Sequence, residues 1–223
     1  MYQQHIENIL TYINTKYPEE LDRARRWFFE NTGEAYEGDE FYENRIANHL
    51  EWFVFDWDFN DTGKNTAAFF LQSNGEGLSD EDRQTLDAFT KPLHSIFEIK
   101  KLIAKENKLV LLDLFSKKKY EVFERRSIHG IERKNIFEGR LIEVGDKTVM
   151  MQAFVLHPQN ANSFIKKHIK HMLKEDCKDF KPFMVVLQKM WVHMHRYSKV
   201  DTKKIYSEKF LEEYFHGGKL PQP

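Results

Sequence analysis

The sequence predicts an α+β fold in three consecutive segments. Residues 1–94 are helical and acidic, 95–157 form a small five-stranded antiparallel barrel-like β unit, and 158–223 are helical and basic and pack on the rest. Three observations carry this. Apolar residues recur at helical spacing before residue 94 and after residue 158, so they share one face of each helix. Between those limits lie short runs rich in β-branched and aromatic residues, separated by turn residues. The composition, 41% hydrophobic and 31% charged, suits a chain that buries a core without metals or disulfides.

In chain order, Ile6, Ile9, Leu10, Ile13 and Tyr17 define an amphipathic helix over 3–16. Pro18 suits a first helical position, where its missing N–H costs nothing. Glu19, Glu20 and Asp22 precede Arg23, Arg25 and Arg26, an order that complements the helix dipole, and Gly33 suits the C-terminal cap. A third helix carries the stripe Tyr42, Ile46, His49, Leu50 and Phe53. Asn65 or Thr66 caps a short helix through Leu71, and Ser79 with Asp82 opens another as a capping box. Strands are expected over 96–104, 109–115, 120–123, 139–144 and 148–156, the last two joined by a hairpin turn at Gly145 and Asp146. This pattern fits a small barrel of the SH3 or OB kind and does not separate the two. Beyond residue 159, an apolar stripe from Ala161 to Leu173 opposes Lys166, Lys167, Lys170 and Lys174. Pro182 then starts a helix that is apolar almost all round, which is the mark of burial, and a last helix is expected over 203–215.

Cys177 is the single cysteine, so no intramolecular disulfide forms. The first residues lack the basic and apolar pattern of a signal peptide, and the longest apolar run, 183–187, is far short of the ~20 residues that cross a bilayer. A cytoplasmic protein is expected. The net charge of −1 conceals an asymmetry: residues 1–94 hold 8 Lys and Arg against 19 Asp and Glu, and residues 158–223 hold 13 against 7. Such a division suits either internal docking or a polyanion-binding face.

Glu51 to Asp56, then Gly63, Thr66, Leu78, Ser79 and Arg83, are followed by Ile96 to Ile99, by Leu112 to Leu114, and by Tyr120 to Val122 leading to Glu124, Arg125, Arg126 and Ser127. In this order the residues resemble an uncharacterised bacterial family, sometimes joined to a zinc-binding SEC-C motif, over roughly residues 45–155. The resemblance implies a helical segment leading into a small β unit, and it transfers no catalytic residue because the family carries no assigned activity. The SEC-C cysteines are absent here.

Four groups of residues bear on chemistry. Asp56, Asp58, Asn60 and Asp61 resemble the opening of a calcium loop, but Asp61 stands where that loop needs glycine and Ala67 where it needs a bidentate glutamate. Asp56, Asp58 and Asp61 could instead hold Mg²⁺ or Mn²⁺, or simply shape the turn and cap the next helix. His168 and His171 share a helix side, with Cys177 nearby, yet His168 falls in the apolar stripe. No Gly-x-Ser-x-Gly elbow and no phosphate-binding glycine loop occurs, and Cys177, which follows Glu175 and Asp176, lacks the electropositive surroundings that a reactive cysteine needs. Finally Lys117, Lys118, Lys119, Arg125, Arg126, Arg133, Lys134 and Arg140 give the β unit a basic rim, interleaved with Phe115, Tyr120, Phe123 and Phe137. Such a rim contacts nucleic acid or a protein, or only keeps a sheet edge soluble.

The expectation is therefore a non-enzymatic binding or adaptor protein using the basic rim of the barrel, with a protein or nucleic acid as partner. The alternative is a metal-dependent hydrolase or nuclease using the loop from Asp56 to Asp61, with Mg²⁺ or Mn²⁺ as cofactor. The sequence leaves the oligomeric state open.

Overall fold

Helix α1 (Tyr2–Lys16) turns Ile6, Ile9 and Ile13 inward. Helix α2 (Pro18–Thr32) begins on Pro18 and ends where Gly33 takes a φ of +96° and donates its N–H to the Phe29 carbonyl at 2.9 Å. In the computed structural model, which describes residues 2–123 and 131–214, three more helices precede the sheet. They are α3 (Tyr42–Phe55), α4 (Thr66–Asn74) and α5 (Asp80–Phe89). Asn65, rather than Thr66, caps α4 by accepting the Ala68 N–H, and Ser79 caps α5 by accepting the Asp82 N–H.

Strands β1 (Leu93–Ile103), β2 (Lys108–Asp113), β3 (Lys119–Phe123), β4 (Ile136–Val144) and β5 (Lys147–Met150) lie in the order β3-β2-β1-β4-β5. Neighbours are antiparallel throughout. β3 curls back beside β5, so the five strands nearly close into a barrel. Its interior holds Phe97, Leu111, Val122, Phe137, Leu141 and Met150. The hairpin forms at Gly145 and Asp146, with Gly145 at a φ of +63°.

The run expected over 148–156 is not one strand. It divides into β5 and a sixth strand, β6 (Val155–His157), which pairs with Ile136, Phe137 and Glu138 on the edge of β4 that β5 uses further along. Other partners take the backbone between them. The Met151 N–H reaches the Arg140 carbonyl at 2.9 Å, and the Ala153 N–H reaches Glu51 Oε1 at 2.8 Å. Gly139 lies under this crossing: a Cβ there would sit 3.1 Å from the Phe137 ring and 3.4 Å from Phe154 Cβ.

Helices α6 (Asn162–Lys174) and α7 (Lys181–Arg196) return the chain across the barrel. The single helix expected over 203–215 is two, α8 (Thr202–Ile205) and α9 (Glu208–Tyr214), and residue 215 lies outside the described residues. Tyr206 breaks it with non-helical backbone, and its buried hydroxyl lies 3.0 Å from His157 Nδ1. The outer face of β1 and β4 is covered from two sides. Ile142 joins the core of α1–α5, and Ile96 and Ile136 join that of α6–α9. Among the described residues no helix is long and apolar enough to cross a membrane.

Candidate functional site

Strand register places the first members of the site. His94 of β1 pairs with Arg140 of β4, and Ile96 with Glu138. Cross-strand partners share a face, and alternate residues return to it. His94, Glu138 and Arg140 therefore all project from the outer face of the barrel, under the covering helices. Asp56, the residue that ends α3, meets them there.

The four groups form one buried network. His94 Nδ1 lies 3.0 Å from Asp56 Oδ1, and its Nε2 lies 2.9 Å from Glu138 Oε1. Arg140 donates Nε–H to Asp56 Oδ2 at 2.5 Å. Gln188 of α7 donates to Glu138 Oε1 at 2.6 Å and accepts from Arg45 of α3 at 3.0 Å. Arg45 also donates to the Thr32 hydroxyl and the Gly33 carbonyl at the end of α2. Side chains from both helical segments and the sheet thus meet at one point.

Charge balance follows from this geometry. Burial and the Arg140 charge oppose a proton on His94, but the Asp56 and Glu138 carboxylates outweigh them and hold its pKa above the ordinary value. The imidazolium donates from both nitrogens, which is the form two flanking carboxylates accept. Burial would lift the Asp56 carboxyl, yet Arg140 and His94 hold it well below the usual carboxylate range. Burial draws Arg45 down to about 10, which leaves it charged at neutral pH.

Over this network opens a cavity of about 260 Å³. Asp56, His94 and Glu138 line one side; Trp27, Phe28 and Trp52 form an aromatic wall; Met184, Val185 and Gln188 of α7 face it. The Trp27 and Trp52 rings stack, with centroids 5.1 Å apart and planes within 4°. Trp57 lies 5.2 Å from Trp52, so three of the chain's four tryptophans gather here. Asp58, Asp179 and Lys181 also line the cavity. Asp58 accepts the Gly63 N–H at 2.7 Å and Asp179 the Lys181 N–H at 3.0 Å, and neither forms an ion pair among the described residues. Glu138 Oε2 and Trp27 Nε1 are buried with no hydrogen-bond partner among the described residues.

The three aspartates of the expected metal site go to three places. Asp56 enters the buried network, Asp58 faces the cavity while holding its own loop, and Asp61 pairs with Arg23 at 3.2 Å. Among the described residues no group of three His, Cys, Asp or Glu is placed to hold a metal ion. His168 lies 3.1 Å from Glu208, against the rings of Phe164 and Phe183. Of the basic rim, Lys117, Lys118, Arg133 and Lys134 are exposed in two connections between strands, Lys119 is exposed as the first residue of β3, and Arg125 and Arg126 lie outside the described residues. Arg140 is 2% exposed: alternation points it out of the barrel, as the sequence implies, but the helices then cover it.

Sequence reasoning reached Asp56 and missed His94, Glu138, Gln188 and the tryptophan pair. One signal was available, the polar pair Gln188 and Lys189 that interrupts a mostly apolar helical run. Strand register, which joins His94 to Glu138, has no such local mark.

Fold and site together define an α+β protein whose nearly closed antiparallel barrel is flanked by helices, with a carboxylate- and tryptophan-lined cleft where they meet. The chain belongs to the family of unknown function DUF7986, whose model matches residues 4–185. That span takes in Asp56, His94 and Glu138 and stops before Gln188. It bears out the expectation of an uncharacterised family. No curated protein and no solved structure matches the chain significantly.

Proposed function

We propose that this is a binding protein whose cleft holds a small organic cation with a flat, apolar body, such as an amidine, a guanidine or an aromatic amine. The observation that carries this reading is the meeting of a stacked indole wall with carboxylates in one small cavity. An indole face attracts a cation through its quadrupole, and the attraction grows when water is excluded. Asp58 and Asp179 supply carboxylates that form no ion pair among the described residues, and Glu138 Oε2 supplies an acceptor with no donor among them. A volume of about 260 Å³ limits the ligand to a compact one.

Binding is favoured over catalysis by the state of His94. Both ring nitrogens are engaged with carboxylates, which leaves no lone pair to accept a substrate proton. The metal-dependent alternative gains nothing from three aspartates that diverge.

The test uses isosteres of opposite charge. Benzamidine should quench the fluorescence of the tryptophan cluster and raise the melting temperature, while benzoate should do neither. Asp58→Asn with Asp179→Asn should weaken the benzamidine response without unfolding the protein. Equal or tighter binding of benzoate, or no response to benzamidine and a panel of aromatic amines, would refute the reading.

A further inference from the structure

A second concave surface lies away from the cleft, between α6 and the outer face of β1 and β2. Its floor is aliphatic, built from Leu112, Leu114, Ile169 and Leu173, and its volume is about 550 Å³. Lys166, Lys170 and Lys174 stand along one wall at successive i, i+4 positions of α6, and Lys117 stands on the other from the β2–β3 turn. Asp113 shapes that turn by accepting from the Phe115 N–H at 3.0 Å and from the Ser116 hydroxyl, with Lys117 at a φ of +62°.

The charge is only partly spent. Glu98, at the edge of the trough, pairs with Lys166 at 3.0 Å and with Lys100 at 3.3 Å. Lys117 donates to the Leu114 carbonyl. Lys170 and Lys174 have no carboxylate partner among the described residues, and beside them Leu173 is 37% exposed. A leucine left open between unpaired lysines matches a ligand that is both apolar and anionic.

We infer that this lysine-walled trough docks an acidic protein segment, which seats an apolar side chain on Leu112 and Leu173 and sets its carboxylates against Lys117, Lys170 and Lys174. The spacing agrees. Residues four apart on α6 rise about 6 Å, close to the repeat of carboxylates four apart on a partner helix or two apart on an extended one. Single-stranded nucleic acid fits less well, because the floor offers aliphatic side chains where bases need aromatic faces. A lipid surface fits less well too, because a planar membrane does not reach the floor of a concave site.

The experiment is fluorescence anisotropy on the full chain, with three labelled probes: a Glu-rich amphipathic peptide bearing leucines at helical spacing, the same peptide with serine for leucine, and an oligothymidylate. Phosphatidylglycerol vesicles are added in a separate flotation assay. The leucine peptide should bind and the serine peptide should bind about tenfold more weakly or not at all. Lys170→Glu with Lys174→Glu, and separately Leu173→Ser, should each weaken the leucine peptide about tenfold with an unchanged circular dichroism spectrum. All the altered side chains are exposed, so the fold survives the changes. No binding of the leucine peptide at low salt, equal binding of both peptides, or tighter capture of oligothymidylate or vesicles would overturn the proposal. Benzamidine binding at the tryptophan cleft, measured on the same variants, should be unaffected, so the two sites stand or fall separately.

Discussion

Arg45 and Glu138 are joined through a single amide. Arg45 donates to Gln188 Oε1 at 3.0 Å, and Gln188 donates onward to Glu138 Oε1 at 2.6 Å. The residues come from α3, α7 and β4, so this chain of hydrogen bonds ties the C-terminal helical segment to both the N-terminal helices and the barrel. Replacing Gln188 with leucine keeps most of the volume and leaves a buried guanidinium and a buried carboxylate each short of a partner. The expected loss is about 3 kcal/mol of unfolding free energy, read as a lower urea midpoint at unchanged slope. A loss below about 1 kcal/mol would show that Arg45 and Glu138 do not depend on the bridge.

The aspartates of one loop should differ sharply in their contribution to stability. Asp56→Asn removes the negative charge that Arg140 and His94 share inside the protein and should cost about 3 kcal/mol. Asp61→Asn breaks an exposed pair with Arg23 and should cost about 0–1 kcal/mol. Asp58→Asn retains an oxygen for the Gly63 N–H and should also stay below about 1 kcal/mol. Urea titrations of the three variants check the ranking, and equal losses would contradict it.

Stability should fall as the solution turns mildly acidic. Burial pushes His49 and His157 down to about 4, against about 6.5 for a histidine in the unfolded chain. Between those values the unfolded state binds protons that the folded state refuses, so stability drops as pH falls, by roughly 2 kcal/mol per residue at pH 5. His94 acts in the opposite sense. Its raised pKa adds stability that is fully present below about 6.5 and is lost as pH rises through the folded value. The depressed Asp56 adds stability that is present above about 3.9 and is lost only at lower pH. Two acid-labile histidines outweigh one, so the urea midpoint should be lower at pH 5 than at pH 7. His157→Gln should flatten that dependence, and a midpoint that rises on acidification would contradict the assignment.

Gly33 and Gly63 separate backbone strain from packing. Both have positive φ, +96° and +72°. A Cβ at Gly33 would lie 3.1 Å from Val192 Cγ1 of α7, whereas one at Gly63 would meet nothing within 4 Å. Gly63→Ala should therefore cost about 1 kcal/mol from backbone strain alone, and Gly33→Ala about 2 kcal/mol or more. Thermal or urea unfolding gives the difference, which reads the contact between the end of α2 and α7.

Local features determined much of this protein from sequence alone. Pro18, Gly33, Ser79 and the turn at Gly145 and Asp146 each act within a few residues of themselves, and all four work as their chemistry requires. The apolar stripes of α1, α6 and α7 are likewise local, because a helix repeats every few residues whatever lies opposite it. Where a nearby hydrogen bond competed with periodicity, the periodicity misled. Glu51 and the Arg140 carbonyl break the run over 148–156, and Tyr206 breaks the last helix by turning inward to His157. The tertiary structure alone decided the cleft. Asp56 and His94 are 38 residues apart, His94 and Glu138 are 44, and Glu138 and Gln188 are 50. No period or motif spans such separations. They close only when strand register sets His94 beside Glu138 and the helices on either side exclude water, and that exclusion is what turns ordinary polar residues into a charged network with a cavity above it.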